Sequence, residues 1–195
     1  YSLGDEMYLD LLKDLEQAKE YIFMEYFIVA KGEMWDTILE LLKRKVKEGV
    51  KVKFMYDGTC SFMLLPRNYP EYLETYGIEC KVFNPVVPII STQYNNRDHR
   101  KIVVVDGKVA YTGGVNLADE YINRIERFGH WKDTAIRLEG AAVRGFILMF
   151  LENWNVYEKQ KDYDFYLKFV ESKQSKGYVL PFGDNPFDDY LVGED

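Results

Sequence analysis

The stretch that decides the fold reads His99-Arg-Lys-Ile-Val-Val-Val-Asp106, and Thr112-Gly-Gly-Val-Asn116 follows shortly after it. Its β-branched run predicts a strand that is buried on both faces. Because strand side chains alternate between faces, His99 and Lys101 should point the same way. A histidine beside a fixed positive charge suits phosphoryl chemistry, since the imidazole can attack phosphorus or carry a proton.

Helices and strands alternate around this stretch. Helical spacing of apolar residues predicts helices near the N-terminus, from about residue 34, near 69–76 and over 141–155. Apolar or alternating runs predict strands at 22–29, 51–56, 81–83, 99–105, 109–111 and 132–138. Asp106-Gly107 between two such runs predicts a hairpin, and 84–97 should form a loop over the site. This order predicts an α/β layered fold with a mixed β-sheet flanked by helices.

Composition narrows the class of protein. A chain of 195 residues with 47% hydrophobic residues can bury the core of one globular domain. The net charge of −7 argues against nonspecific nucleic-acid binding, so no nucleic-acid partner is expected. Two cysteines are too few for a disulfide framework and favour a cytosol-facing domain. The sequence contains no run of about 20 apolar residues that could span a bilayer.

The chain divides into a main domain over 1–157 and a tail over 158–195. From Glu158 onward the composition becomes charged and aromatic, and it then reaches Gly183-Asp-Asn-Pro186. We interpret the tail as a linker that enters a further half. The chain also opens at Tyr1 without a methionine, so we expect it to be a piece of a longer protein.

Lys101 and Asp106 each have two interpretations. Lys101 could protect a strand edge, but the buried run after it argues against an edge. A buried charge needs a partner, and a substrate phosphate would be one. Asp106 is counted with the catalytic candidates because of its place in the motif. Its position at the hairpin turn, on the face opposite His99, nevertheless favours a mainly architectural role.

The residues after the second strand of the hairpin are candidates for substrate binding. Gly113 and Gly114 could simply mark the transition from a strand to a helix, or they could let the backbone approach a phosphate closely. Asn116 could cap a helix that starts at Leu117, or its amide could donate to a phosphate oxygen. These two roles of Asn116 are compatible, and we favour a role in the site.

Two carboxylates are further candidates. Asp133, on an adjacent strand, could hold the far ring nitrogen of His99, or it could be an ordinary surface residue. Glu25 lies inside an apolar run, where a carboxylate is costly unless it is paired. It could pair with His99, as a rival of Asp133, or with an arginine or lysine of the site, or it could face solvent. We count Glu25 with the substrate-binding candidates.

Other chemistry has little support in the sequence. His130-Trp-Lys132 repeats the His-x-Lys spacing, but no matching Asp or Gly-Gly follows, so it is not a second motif. The sequence has no His/Cys cluster at ligand spacing and no Gly-Lys-Ser/Thr phosphate loop. We therefore expect neither a metal site nor a cofactor.

The spacing His-x-Lys-x4-Asp followed by Gly-Gly and Asn resembles the signature of the phospholipase D superfamily. Four stretches resemble the first half of bacterial cardiolipin synthases: Asn95-Asn-Arg-Asp-His-Arg-Lys-Ile-Val-Val-Val-Asp-Gly107, Ala110-Tyr-Thr-Gly-Gly-Val-Asn116, Trp131-Lys-Asp-Thr134 and Leu138-Glu-Gly-Ala-Ala142. Gly183-Asp-Asn-Pro-Phe-Asp-Asp189 resembles the start of their second half. The superfamily normally uses two motifs per active site, and this chain has one.

The resemblance implies a phospholipase D-like fold and a parent protein at the cell membrane, with N-terminal membrane helices and a catalytic domain that faces the cytoplasm. The implied reaction joins two phosphatidylglycerols into cardiolipin and releases glycerol through a phosphohistidine, without a metal. His99 would be the nucleophile or the acid/base, Lys101 and Asn116 would bind phosphate, and Asp133 would orient His99. The implied partners are an anionic phospholipid, a membrane surface, and a second catalytic half or a second copy of the chain.

Two alternatives stay open at this point. The chain could be a phospholipase D or a nuclease that works as a homodimer of single-motif chains, although the acidic balance argues against a nuclease. It could also be a noncatalytic module. Because one motif is half of the usual set, we expect the isolated chain to be inactive.

Overall fold

The computed structural model describes residues 1–85, 97–156, 158–159, 161–173 and 176–183. Its helices are α1 (Gly4–Gln17), α2 (Glu33–Lys47), α3 (Gly58–Leu64), α4 (Tyr69–Glu74), α5 (Val143–Trp154) and α6 (Tyr163–Leu167). Its strands are β1 (Tyr21–Tyr26), β2 (Lys51–Asp57), β3 (Glu79–Phe83), β4 (Ile102–Val105), β5 (Val109–Gly113) and β6 (Ala135–Glu139). No helix within these ranges is both long enough and apolar enough to cross a bilayer.

The strands form one mixed sheet in the order β3-β2-β1-β4-β5-β6. β1 pairs in parallel with β2, and β2 pairs in parallel with β3. β4 pairs antiparallel with β1, and the remaining pairs on that side, β4–β5 and β5–β6, are also antiparallel. The mixed α/β sheet predicted from the sequence is therefore confirmed.

Each face of the sheet packs against its own helices. On one face Met24 of β1 and Val103 of β4 join a core with α1 and α2. On the other face Phe23 of β1 and Val104 of β4 join a core with α5 and α6. The ring of Phe23 stacks on that of Phe150, with the ring centroids 4.4 Å apart. All four residues of β4 are buried, as the β-branched run predicts.

Several predicted elements have different ends in the structure. β1 stops at Tyr26, the last residue of its ladder with β2, and its ladder with β4 already ends at the pair Glu25 and Ile102. β4 therefore begins after His99 and Lys101, which precede the ladder. β6 begins at Ala135, so Asp133 also lies before its strand. Most of the loop predicted at 84–97 lies outside the described residues.

The tail predicted from residue 158 begins with a helix that belongs to the main core. Tyr166 of α6 is buried among the residues of the second core. The Tyr21 hydroxyl donates a hydrogen bond to the Tyr166 carbonyl at 3.1 Å. The predicted boundary at 157/158 therefore does not separate α6 from the sheet, and residues 184–195 lie outside the described part.

The strand directions divide the motif between two edges of the sheet. β1, β2, β3 and β5 all end at the edge where β4 and β6 begin. His99 and Gly113 lie at this edge, whereas Asp106 lies at the opposite one. Seven residues of extended chain span roughly 20 Å. Asp106 therefore does not share a site with His99, although the motif places it among the catalytic candidates.

Asp106 instead joins the hairpin to the start of β1. Its backbone has a φ of 52°, in the left-handed region that a tight two-residue hairpin turn requires. Its carboxylate accepts hydrogen bonds from the backbone N–H groups of Lys19, Glu20 and Tyr21 at 2.8–2.9 Å. The architectural interpretation of this residue agrees with these contacts.

We expect Asp106→Ala to lower the free energy of unfolding by about 3 kcal/mol, because it leaves three backbone donors without their acceptor. Asp106→Asn keeps an acceptor oxygen and tolerates positive φ, so it should cost about half as much. Urea unfolding of the two variants and the wild type measures the difference. Equal stability of Asp106→Ala and the wild type would contradict the architectural role.

Candidate functional site

His99 and Lys101 meet at the edge where β4 begins. The Lys101 ammonium donates a hydrogen bond to the His99 carbonyl oxygen at 2.5 Å and lies 3.1 Å from His99 Nδ1. Lys101 is only 4% exposed, whereas the His99 side chain is exposed. The structure thus brings together the proton carrier and the cation that the strand alternation places side by side.

The surroundings of His99 favour the neutral imidazole. Its pKa is lowered from the ordinary value, first by desolvation of the part of the ring that lies against the protein and then by the positive charge of Lys101, while Asp98 and Asp57 oppose this shift. An ammonium can only donate, so Nδ1 accepts from Lys101 and the proton of the neutral ring lies on Nε2. In this tautomer Nε2–H can donate a hydrogen bond, and Nε2 has no free lone pair. Attack by Nε2 on phosphorus requires Lys101 to leave Nδ1, for example when it binds a phosphate oxygen.

Phe27 supports both side chains of this pair. Its ring centroid lies 4.7 Å from that of His99, and the Lys101 ammonium lies 5.3 Å from it. A cation over a ring face is attracted by the ring quadrupole. Phe27 was not predicted from the sequence, because an aromatic residue at the end of an apolar run resembles any core residue.

Asn116 connects the chain after β5 to the chain after β1. Its Oδ1 accepts a hydrogen bond from the Ile28 N–H at 2.9 Å, and the residue is 3% exposed. Backbone hydrogen bonds of Leu117 to Ile28 and Ala30 strengthen the same junction. The predicted helix cap is wrong, because the next helical turn is a 3₁₀ turn at Asp119–Ile122. With Oδ1 engaged, the amide NH₂ is the part of Asn116 that a phosphate could use.

Gly113 and Gly114 make room for the segment that leads into β6. A Cβ at Gly113 would lie 2.3 Å from the Thr134 carbonyl oxygen and 2.6 Å from the Ala135 Cα. A Cβ at Gly114 would lie 2.0 Å from Oδ1 of Asp133. These two glycines therefore allow another segment of the same chain to approach closely. This packing explains the glycines without a bound phosphate.

Asp133 does not make the contact predicted from the sequence. Its carboxylate accepts from the Thr134 N–H at 2.7 Å and from the Trp131 indole N–H at 3.3 Å. Among the described residues it forms no hydrogen bond with His99. Because Gly114 has no side chain, the carboxylate lies against that backbone and turns toward its own chain neighbours. The predicted hydrogen bond between Asp133 and His99 is corrected accordingly.

Glu25 is fully buried, and its partner is Arg100. Glu25 Oε1 accepts from Arg100 Nη2 at 2.6 Å and from the Asn153 side-chain amide at 3.1 Å. By strand alternation it shares the face of Phe23, opposite the face of Met24. Of the predicted alternatives, pairing with an arginine is confirmed and exposure to solvent is wrong. No contact with His99 is found in the described part, so direct substrate binding by Glu25 loses its basis.

Two buried carboxylates near the motif were missed. Asp57 and Asp98 are 0% and 4% exposed, and the Asp98 N–H donates to Asp57 Oδ2 at 3.0 Å. Asp98 and Arg100 flank His99, so the alternation that pairs His99 with Lys101 also places these two on the other face. The described residues contain no group of three or more His, Cys, Asp or Glu side chains that could hold a metal ion.

Residues 11–127 match the family described as cardiolipin synthase, PLD-like domain. This chain belongs to that family. A Streptococcus mutans protein of uncharacterised function is 50% identical over 194 residues, which cover 98% of this chain and 42% of that protein. The cardiolipin synthase of Alkalihalophilus pseudofirmus is 41% identical over 153 residues, covering 78% of this chain and 30% of that enzyme.

Solved structures show the same architecture as this cardiolipin synthase PLD-like domain. The phosphatidylserine synthase of Haemophilus influenzae superposes with a TM-score of 0.62 at 16% identity, over 86% of this chain and 40% of that one. The fold is thus phospholipase D-like. The domain spans less than half the length of the relatives it matches.

The two glycines should respond differently to substitution by alanine. In Gly113→Ala the new methyl group meets backbone atoms that cannot move separately, so we expect a loss of about 3 kcal/mol in stability. In Gly114→Ala it meets a side-chain carboxylate that can rotate away, so about 1 kcal/mol should suffice. Thermal or urea unfolding compares the two, and a larger cost at Gly114 would contradict this packing.

Lys101→Met should raise the pKa of His99, because it removes a positive charge while keeping a long buried side chain. Burial, which lowers the pKa, then acts against the negative charges of Asp98 and Asp57, which raise it. NMR titration of the imidazole in a His130→Gln background measures this, since the chain has two histidines. An unchanged His99 pKa would show that Lys101 is not its electrostatic neighbour in solution.

Proposed function

We propose that this domain supplies one half of an active site that joins two phosphatidylglycerols into cardiolipin and releases glycerol. The proposal depends on the contact between His99 and Lys101, which lies at the edge of the sheet where β1, β2, β3 and β5 end. The chain belongs to the cardiolipin synthase family. The ends of strands that meet at one edge are a common position for ligand sites in α/β folds. Asn116 lies at the same edge.

In the proposed reaction one motif histidine attacks phosphorus of the first phosphatidylglycerol. An N–P bond forms, the P–O bond to glycerol breaks, and the second histidine protonates the leaving glycerol oxygen. That histidine then removes the proton from a hydroxyl of the second phosphatidylglycerol. The hydroxyl oxygen attacks phosphorus, the N–P bond breaks, and cardiolipin leaves with both histidines restored.

His99 can fill either histidine role. A lowered pKa keeps the imidazole neutral, which both a nucleophile and a base require. The partner that protonates glycerol starts as an imidazolium, so in that role His99 would take up a proton at Nδ1 after Lys101 leaves it for a phosphate oxygen. A phosphate that draws Lys101 away from Nδ1 would prepare the same ring as the nucleophile.

Lys101 and Asn116 are proposed to bind the phosphate. The Lys101 ammonium is almost fully buried, so its attraction to the charge that develops on phosphate oxygens is weakly screened. The Asn116 amide is oriented by the Ile28 N–H, so its NH₂ group is held ready without a further loss of side-chain freedom. Gly113, Gly114 and Asp133 shape the wall beside them.

A second motif must come from outside this domain. We propose that a further half of the same protein supplies it, since the domain spans 42% and 30% of the lengths of the two relatives above. The substrate class is an anionic phospholipid, so the proposed location is the surface of the cell membrane, with the site on the cytoplasmic side. A homodimer is the other way to assemble two motifs.

A hydrolytic homodimer is the second candidate function, because the chain carries a single motif. In that reaction water, rather than a second phosphatidylglycerol, would attack the phosphohistidine. The product would be phosphatidic acid instead of cardiolipin.

We expect His99→Ala in the full-length protein to abolish formation of cardiolipin from phosphatidylglycerol vesicles. Lys101→Ala should lower kcat/KM at least about a hundredfold, because it removes a buried charge from the reacting phosphate. Mass spectrometry of the lipids measures both cardiolipin and phosphatidic acid.

Lys108→Ala is the matched control for Lys101→Ala. Lys108 is half-exposed in the turn at the opposite edge of the sheet, so its loss should leave the rate within about twofold. Activity of either site variant within tenfold of wild type would refute the site. A wild-type protein that makes phosphatidic acid and no cardiolipin would favour the hydrolytic candidate.

A further inference from the structure

A cluster of three buried carboxylates and two partly exposed arginines lies behind His99, on the opposite face of the sheet. It joins Glu25 of β1 and Asp57 at the end of β2 to the segment 97–101, which we call the motif segment. The three residues of that segment in the cluster are Arg97, Asp98 and Arg100. Glu25, Asp57 and Asp98 are all at most 4% exposed. Groups of this kind are costly to bury, so each must find partners inside the protein.

Arg100 is the centre of the cluster. Its Nη2 donates to Glu25 Oε1 at 2.6 Å, and its Nε donates to Asp98 Oδ1 at 3.2 Å. The Arg100 backbone N–H also donates to Asp98 Oδ1 at 3.2 Å, and Nη1 donates to the Met149 carbonyl of α5 at 3.4 Å. The guanidinium of Arg100 therefore connects the chain on both sides of His99 to β1 and α5.

Two buried oxygens of this cluster have no donor among the described residues. They are Glu25 Oε2 and Asp98 Oδ2, and the two carboxyl groups are hydrogen-bonding neighbours. With both groups ionised, both oxygens are acceptors that lack a donor. A single proton held between the two carboxyl groups provides the missing donor.

The charges around Glu25 agree with this protonation. Asp98 and Arg100 are the charged groups that face it from the motif segment, while α5 presents the uncharged amide of Asn153. Its neighbours in the sheet ladder are Met55 and Ile102. Burial raises the pKa of Glu25 well above its ordinary value, and Asp98 adds to the rise while Arg100 opposes it.

We propose that Glu25 is a positioning residue that keeps a proton shared with Asp98, and that the pair, bound to Arg100, fixes the backbone on both sides of His99. This proposal rests on the proposed function, because it takes His99 as the reacting group. The segment 97–101 needs such a clamp because it precedes the β4 ladder. Its backbone is tied down largely by side chains, including the bond from the Asp98 N–H to Asp57.

The variants Glu25→Gln and Glu25→Ala distinguish a Glu25 that shares a proton with Asp98 from an ionised Glu25 that only forms an ion pair. In Glu25→Gln the new side-chain amide can accept from Arg100 and Asn153 through its oxygen, and its NH₂ can donate to Asp98 in place of the carboxyl proton. We therefore expect Glu25→Gln to keep kcat within about threefold of wild type. Glu25→Ala should lower kcat about a hundredfold with little change in KM, because the reacting imidazole is misplaced while phosphate binding persists.

The pKa of His99 in the 195-residue chain is a readout that needs no activity. NMR titration in a His130→Gln background should give the lowered value for wild type and for Glu25→Gln. Glu25→Ala and Arg100→Met should move it toward the ordinary value, since a freed segment loses its burial and its contact with Lys101. Arg100→Met keeps the test available if Glu25→Ala does not fold.

Asp14→Ala is the matched control. It breaks a partly buried carboxylate–arginine pair between α1 and Arg137 of β6, at 2.7 Å. It should lower stability without moving the His99 pKa or kcat. A shift of equal size in this control would show that general loosening, rather than the clamp, moves His99.

Stability as a function of pH gives an independent check. The folded-state pKa of Glu25 lies above its unfolded value, so its contribution is complete below about pH 4.5 and is lost as pH rises through the folded pKa. Glu25→Gln cannot lose a proton, so its stability relative to wild type should increase as pH rises above 4.5. A difference that does not change with pH would contradict the shared proton.

The outcomes keep this inference apart from the proposed function. A wild-type protein without lipid product, but with the predicted pattern of His99 pKa values, would refute the function and retain the clamp. A Glu25→Ala variant with the wild-type His99 pKa would refute the clamp. A Glu25→Gln variant as impaired as Glu25→Ala would show that Glu25 is ionised, and it would overturn the proposal.

Discussion

The antiparallel pairing of β4 with β1 sets the position of every group in the candidate site. The ladder runs from the pair Ile22–Val105 to the pair Glu25–Ile102. One end brings the motif segment against the end of β1, and the other brings Asp106 to the backbone of Tyr21. A shift of one residue would exchange the two faces of β4 and bury His99 and Lys101 on the wrong side. The three hydrogen bonds to Asp106 and the packing of β4 on both faces oppose such a shift.

The motif segment presents different chemistry to the two sides of the sheet. His99 and Lys101 form a small cationic site on one side, where the imidazole is kept neutral. Asp98 and Arg100 are anchored on the other side by buried ionic contacts. Burial of charge costs free energy, yet a group that is held by several partners loses its freedom to reorient. The back of the sheet thereby gives rigidity to a side chain that is exposed at the front.

Much of the site could be predicted because strand alternation depends on local geometry alone. The proximity of His99 and Lys101 follows from the two-residue period of a strand, the hairpin follows from Asp106-Gly107, and the strand between them separates Asp106 from His99. Asp133 was harder, because its contacts depend on where β6 begins and on how closely Gly114 lets it approach. A hydrogen bond needs its partners within about 3 Å, and here the partners that lie so close are Thr134 and Trp131.

The sequence by itself determined the strands, the hairpin, the α/β class and the resemblance to the phospholipase D superfamily, because these are properties of short segments and of their spacing. Only the tertiary structure decided which partner Glu25 has, what Asn116 bonds, and that α6 packs on the sheet. Those outcomes depend on which segments meet across the fold. A buried polar group takes whichever partner the packing brings within about 3 Å, and the local sequence does not encode that distance.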